Sequence, residues 1–111
     1  MDIPTLTEKE KQAIDELITE LKNLYKDNLS RIILYGSKAR GDATGGSDID
    51  IMVVLKKIEN KIVEFEKIIK MTTEIDFQYE LLTSIILKDE QEYLTRNSPL
   101  LLNVRREGVE L

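Results

Sequence analysis

Tyr35 to Leu55, YGSKARGDATGGSDIDIMVVL, joins a Gly-Ser turn to two aspartates one residue apart at the mouth of an apolar strand. Ile49, Ile51, Val53 and Leu55 alternate with Asp48, Asp50, Met52 and Val54, and successive side chains of a strand point to opposite faces. Asp48 and Asp50 are therefore expected side by side on one face. Two carboxylates that close repel one another unless a positive charge lies between them. Mg²⁺ takes oxygen ligands, keeps several waters, and is commonly held by one or two carboxylates together with substrate phosphates, so the pattern predicts a divalent metal between the two carboxylates, its remaining ligands supplied by a nucleoside triphosphate.

Upstream, Arg31 to Tyr35 (RIILY) is a β-branched run that reads as a buried strand, broken by Gly36. Ser37 to Arg40 suffice for one helical turn, closed by Gly41. Gly36 has no Cβ to keep a phosphate from its backbone, and the Ser37 hydroxyl and nearby amides are hydrogen-bond donors, which makes Gly36-Ser37 a candidate anion cradle. Lys38 and Arg40 add charge but do not face the same way on a turn, and Arg40 has the alternative of bracing the loop through Asp42. Gly41 to Ser47 holds three of the five glycines and reads as a lip of the site. Rival motifs do not fit: G-x-x-x-x-G-K-[ST] and G-x-G-x-x-G are both absent, and apolar Ile51 to Val54 stand where an EF-hand needs ligands.

Gly36-Ser37, Ala39-Arg40-Gly41 and Ser47-Asp48-Ile49-Asp50 resemble the G-S-x-A-R-G…S-D-x-D signature of the minimal nucleotidyltransferases of the DNA polymerase β superfamily, and the ending Asn103 to Gly108 (NVRREG) is similar to their short stand-alone members. The resemblance implies an α/β nucleotidyltransferase fold, a mixed three-stranded sheet with flanking helices. It implies ATP as substrate, with Gly36, Ser37, Arg40 and Ser47 on the nucleotide side, and two Mg²⁺ ions held by three carboxylates. The third carboxylate of the family lies on a later strand. Tyr79 to Leu87 (YELLTSIIL) reads as that strand with Glu80 at its start, so Glu80 is preferred over Asp76 as the partner of Asp48 and Asp50. Many such members resemble antitoxins paired with HEPN-type toxins, which are ribonucleases. The implied reaction is transfer of AMP from ATP to a tyrosine hydroxyl of the toxin, within a hetero-oligomer. A contact-only binding module and a transferase acting on a small molecule are the alternatives.

The bulk numbers narrow these. With 111 residues, residues 1–111 are expected to form a single domain with a modest core. A formal charge of −5 argues against a protein that grips a nucleic-acid backbone, since that affinity comes from Lys and Arg. Absence of cysteine removes disulfides and thiolate metal sites, and absence of histidine removes the usual imidazole ligand and general base. Catalysis is left to carboxylates and metal. The polar N-terminal segment does not read as a signal peptide, and no apolar run approaches the length of a membrane span; a cytoplasmic protein is expected.

Around the central stretch, Thr7 and Glu10 form a capping-box pattern opening an amphipathic helix over about residues 7–26. Ile58, Ile62, Phe65, Ile69, Thr72 and Ile75 trace a second helical stripe, expected to be core. Asp89 is placed to cap a short helix, and Pro99 to open a last one ended by Gly108. Arg105-Arg106 has two readings, a solvated tail or a contact with triphosphate or partner.

Overall fold

The computed structural model describes residues 3, 5–41 and 48–111. Helix α1 (Glu8–Tyr25) begins where the capping box sets it: the Thr7 hydroxyl accepts from the Glu10 amide at 3.1 Å, and the Glu10 carboxylate accepts from the Thr7 amide at 2.9 Å. A 3-10 turn (Lys26–Asn28) leads into β1 (Leu29–Tyr35), followed by the one-turn α2 (Ser37–Arg40), then β2 (Ile49–Leu55). Helix α3 (Lys61–Tyr79) crosses over to β3 (Thr83–Asp89), and α4 (Glu90–Thr95), α5 (Pro99–Glu107) and the short β4 (Val109–Glu110) complete the chain. The Asp89 and Ser98 side chains cap α4 and α5, with Pro99 in the first turn of α5.

Among the described residues the sheet has four strands in the order β3-β2-β1-β4. It is mixed: β1 runs antiparallel to β2 and β4, while β2 and β3 are parallel, as a helical crossover requires. The expected nucleotidyltransferase architecture is present with one strand more than foreseen. Two residues at the chain end, too few to register as an apolar alternation, pair with Ile33 and Leu34 and cover the outer edge of β1.

Both faces of the sheet are packed. Ile32, Leu34, Ile49, Ile51, Val53, Leu55, Ile85 and Leu87 meet α1 and α3. Ile33, Met52 and Val54 meet Tyr93 of α4 and Leu101 and Val104 of α5, with Tyr35 and Ile86 at the margin. Strand β2 is central, and Ile51 to Leu55 are each 0% exposed, worth roughly 1.5–3 kcal/mol per side chain. That uniform burial explains the unbroken apolar run of β2. The α3 stripe differs from expectation: Ile68, Thr72 and Ile75 are buried, whereas Ile62 and Phe65 at the helix start are exposed.

One polar contact fastens α1 to α2. Lys38 and Glu10 are both buried, with Lys38 Nζ 2.6 Å from Glu10 Oε2, and the Thr5 hydroxyl donates to the Lys38 carbonyl. Burial alone would raise the Glu10 carboxyl; the Lys38 ammonium and Thr7 outweigh it and hold the group below the usual glutamate value. The stabilisation it gives is present above the unfolded value of about 4.3 and is lost as pH falls through the lower folded-state value. Lys38→Met, which strands Glu10, is expected to cost about 3 kcal/mol in urea unfolding at neutral pH. The double variant Glu10→Leu/Lys38→Met is expected to recover part of that loss.

Candidate active site

The site grows from the row of residues where the sheet meets the Gly-Ser turn. Tyr35 is the register partner of Asp50 across β1 and β2, and Ser84 is its partner across β2 and β3. Alternation puts all three on the α4/α5 face, the face of Ile33, Met52, Val54 and Ile86. Asp48 lies just before β2, two residues from Asp50 and exposed. Asp50 is half-buried. Burial raises its proton affinity first and the Asp48 charge raises it further, while Arg40 acts in the opposite direction.

Directly beside this carboxylate the chain turns. Gly36 has φ 75° and ψ −158°, and a Cβ built on it would stand 2.3 Å from Asp50 Oδ2. Any side chain would be both strained and in collision. Within α2 the amides of Ala39 and Arg40 return to the Gly36 carbonyl and that of Gly41 to the Ser37 carbonyl, so the leading end of the turn, at Gly36 and Ser37, is the end suited to an anion. Gly41 ends the turn in the left-handed region, φ 86°.

The cations of the turn divide. Lys38 is committed to Glu10 inside the protein. Arg40 stands at the site: its guanidinium is 3.6 Å from Glu107 Oε2 at the end of α5, and its charge acts on Asp50. The expected brace from Arg40 to Asp42 lies outside the described residues, as does Ser47. Tyr35, half-buried beside Asp50, has its phenol pushed up to about 12, by burial and then by the Asp50 charge. Arg105 is structural: it donates to the carbonyls of Tyr93 and Arg96 and to Asn97 Oδ1, tying α5 to the end of α4. Arg106 is exposed and lies beside Asn103 and Glu107.

The third carboxylate is not where the sequence placed it. The strand expected at 79–87 begins at Thr83, and Glu80 is the exposed C-cap of α3, at φ 55°. A helix of 19 residues runs through Tyr79 because α3 keeps packing Ile75 into the core to its last turn. Asp76 accepts from the Thr83 amide at 2.9 Å and the Thr83 hydroxyl at 2.7 Å. Thr83 is the partner of Ile49, so Asp76 caps β3 from the α1/α3 face, across the sheet from Asp50. Among the described residues no three acidic side chains gather as a metal cage. The donor set fits one Mg²⁺ shared by Asp48, Asp50 and a triphosphate; the expected set of Asp48, Asp50 and Glu80 for two ions does not fit.

Sequence reading missed three elements. The Glu10–Lys38 and Arg40–Glu107 pairs join residues far apart in the chain, and the identity of the residue facing Asp50 depends on the β2/β3 register. For the last, counting alternation back from Ile86 and Lys88 would have been the available signal.

A strand, a tight Gly-Ser turn and a paired carboxylate at the head of the next strand define a class of protein built for nucleotidyl transfer. A family profile, the nucleotidyltransferase domain, matches residues 14–103. A protein of Methanocaldococcus jannaschii assigned provisionally as a protein adenylyltransferase is 35% identical over 100 residues, 89% of this chain and 94% of its own. A chain from a crystal structure of the MntA-HpeT toxin-antitoxin pair, in a variant form, is 28% identical with a TM-score of 0.56, covering 87% of this chain and 70% of that one. A provisionally assigned nucleotidyltransferase of Sulfolobus solfataricus is 25% identical with a TM-score of 0.54, over 98% and 90% of the two chains. This chain belongs to the nucleotidyltransferase domain family. No helix among the described residues is long and apolar enough to cross a membrane.

In metal-free protein, carboxyl NMR should find Asp50 titrating above the ordinary aspartate range; Asp48→Asn should lower that value and Arg40→Gln raise it. Asp50 favours the fold most when protonated, a contribution complete below the unfolded value of about 3.9 and lost as pH rises through the higher folded-state value. Gly36→Ala should lower stability by about 1–3 kcal/mol, read by thermal unfolding, and displace the Asp50 resonance.

Proposed function

We propose that this protein is an antitoxin that transfers AMP from ATP to a tyrosine hydroxyl of a HEPN-type ribonuclease toxin and so silences it. The observation that carries the reading is the Asp50 carboxylate packed against the Gly36 backbone, which brings a cation site and an anion turn together. The 35% identical relative assigned as a protein adenylyltransferase supports the chemistry, and the 28% identical chain from a toxin-antitoxin pair supports the partner.

In this reading Gly36 and Ser37 seat the phosphates of ATP, and Asp48 and Asp50 orient the α-phosphate by holding its cation. Mg²⁺, when bound, neutralises charge that develops on the phosphates during in-line displacement. Arg40 acts on Asp50 and offsets its charge. The acceptor oxygen forms a bond to the α-phosphorus as the bond to pyrophosphate breaks. Asp50 is the carboxylate that takes up the acceptor's proton, so no histidine is needed.

A second reading, neutralisation by contact alone, is favoured by one observation: the residue beside Asp50 on β3 is a serine rather than a carboxylate. The two readings separate on nucleotide dependence. Asp48→Ala and Asp50→Ala are expected to reduce transfer of label from α-labelled ATP to the toxin to background. Asp48 is exposed, so its variant should stay within about 0.5 kcal/mol of the parent in stability. Neutralisation that persists in both variants and without ATP would establish contact alone.

A further inference from the structure

Strand β3 lies against β2 in parallel register, with Asp50 facing Ser84, Met52 facing Ile86 and Val54 facing Lys88. Partnered Cα atoms on adjacent strands are about 4.8 Å apart, and paired residues project to the same face. Whatever occupies position 84 is therefore the β3 side chain best placed to share a cation with Asp50. It is a hydroxyl on an exposed residue. The other acidic residues near the start of β3 do not replace it. Asp76 is engaged by both donors of Thr83 on the opposite face, and Glu80 caps α3 among Ile69, Thr72, Asp76 and Leu81, also on the α3 side of the sheet.

We propose that Ser84 leaves the site with one complete divalent-cation position, the one Asp48 and Asp50 share with a triphosphate, and a second that lacks its third protein carboxylate and binds its ion weakly. The inference rests on the nucleotidyl-transfer reading of the site. Its physical basis is ligand charge. A neutral hydroxyl is a weak donor to a hard cation and offsets none of its charge, whereas affinity for such ions follows the number of charged oxygens and the rigidity of their placement. The first position is spared because the triphosphate itself brings anionic oxygens. The second would depend on protein carboxylates.

The test is a Mn²⁺ titration of nucleotide-free protein followed by electron paramagnetic resonance, together with anomalous diffraction from crystals soaked with Mn²⁺ and a non-hydrolysable ATP analogue. Ser84→Asp should tighten Mn²⁺ by about tenfold or more, Ser84→Ala should match the parent, and Glu80→Gln and Asp76→Asn should leave its affinity unchanged. Crystals should show one strong Mn²⁺ peak beside Asp48 and Asp50 in the parent and two in Ser84→Asp. Two strong peaks in the parent, weaker binding in Glu80→Gln or Asp76→Asn, or a folded Ser84→Asp that binds no more tightly would overturn the inference and leave AMP transfer standing. No peak in the parent would overturn both. If Ser84→Asp does not fold, the peak count in the parent alone decides.

Discussion

The site depends on one close approach, the Asp50 carboxylate lying against the backbone of Gly36. An added Cβ would come within 2.3 Å of Asp50 Oδ2, so the turn that could cradle an anion and the carboxylate that could hold a cation occupy almost the same place. In the protein without a cation, burial and Asp48 raise the proton affinity of this carboxyl. In the proposed reaction a cation between the two carboxylates would offset that repulsion. The rest of the fold keeps the two elements from relaxing apart: β1 and β2 pair through Tyr35 and Asp50, and β2 is sealed from both sides.

The sheet divides its work between its faces. On one, α1 and α3 close a dry core over β1, β2 and β3. On the other, α4 and α5 pack over Met52 and Val54, and among the described residues neither helix is packed on Asp50 or Ser84. Helix α5 then returns to the site through Glu107, and β4 fixes that return by pairing with Ile33 and Leu34. The short final strand has a positional role out of proportion to its length.

Much of this could be read from residues close together in the chain. The capping box of Thr7 and Glu10, the apolar alternation of β2, the cap at Asp89, Pro99 at the start of the last helix and the Gly-Ser turn are local patterns, and the structure contains each of them. The errors arose where long-range packing decides. Glu80 sits in a helical C-cap because α3 runs on to Tyr79 to bury Ile75, a tertiary gain that the β-branched run after it does not reveal. Ile62 and Phe65 fit the helical period yet lie on the exposed first turns of α3. Lys38 and Arg40 read as facing different ways on the turn, but which of them turns inward is decided by Glu10 arriving from α1.

The two cations of the turn show how charge is apportioned. Lys38 and Glu10 are buried together at 2.6 Å, and separating them would leave a desolvated charge, a cost of several kcal/mol. That pair therefore fixes the turn. Arg40 and Glu107 are partly exposed at 3.6 Å, and pairs of that kind are worth about 0–1 kcal/mol. The Arg40 charge acts on Asp50 from the same turn and lowers its proton affinity. The buried pair fixes the position of the turn, and the exposed pair adds little to it.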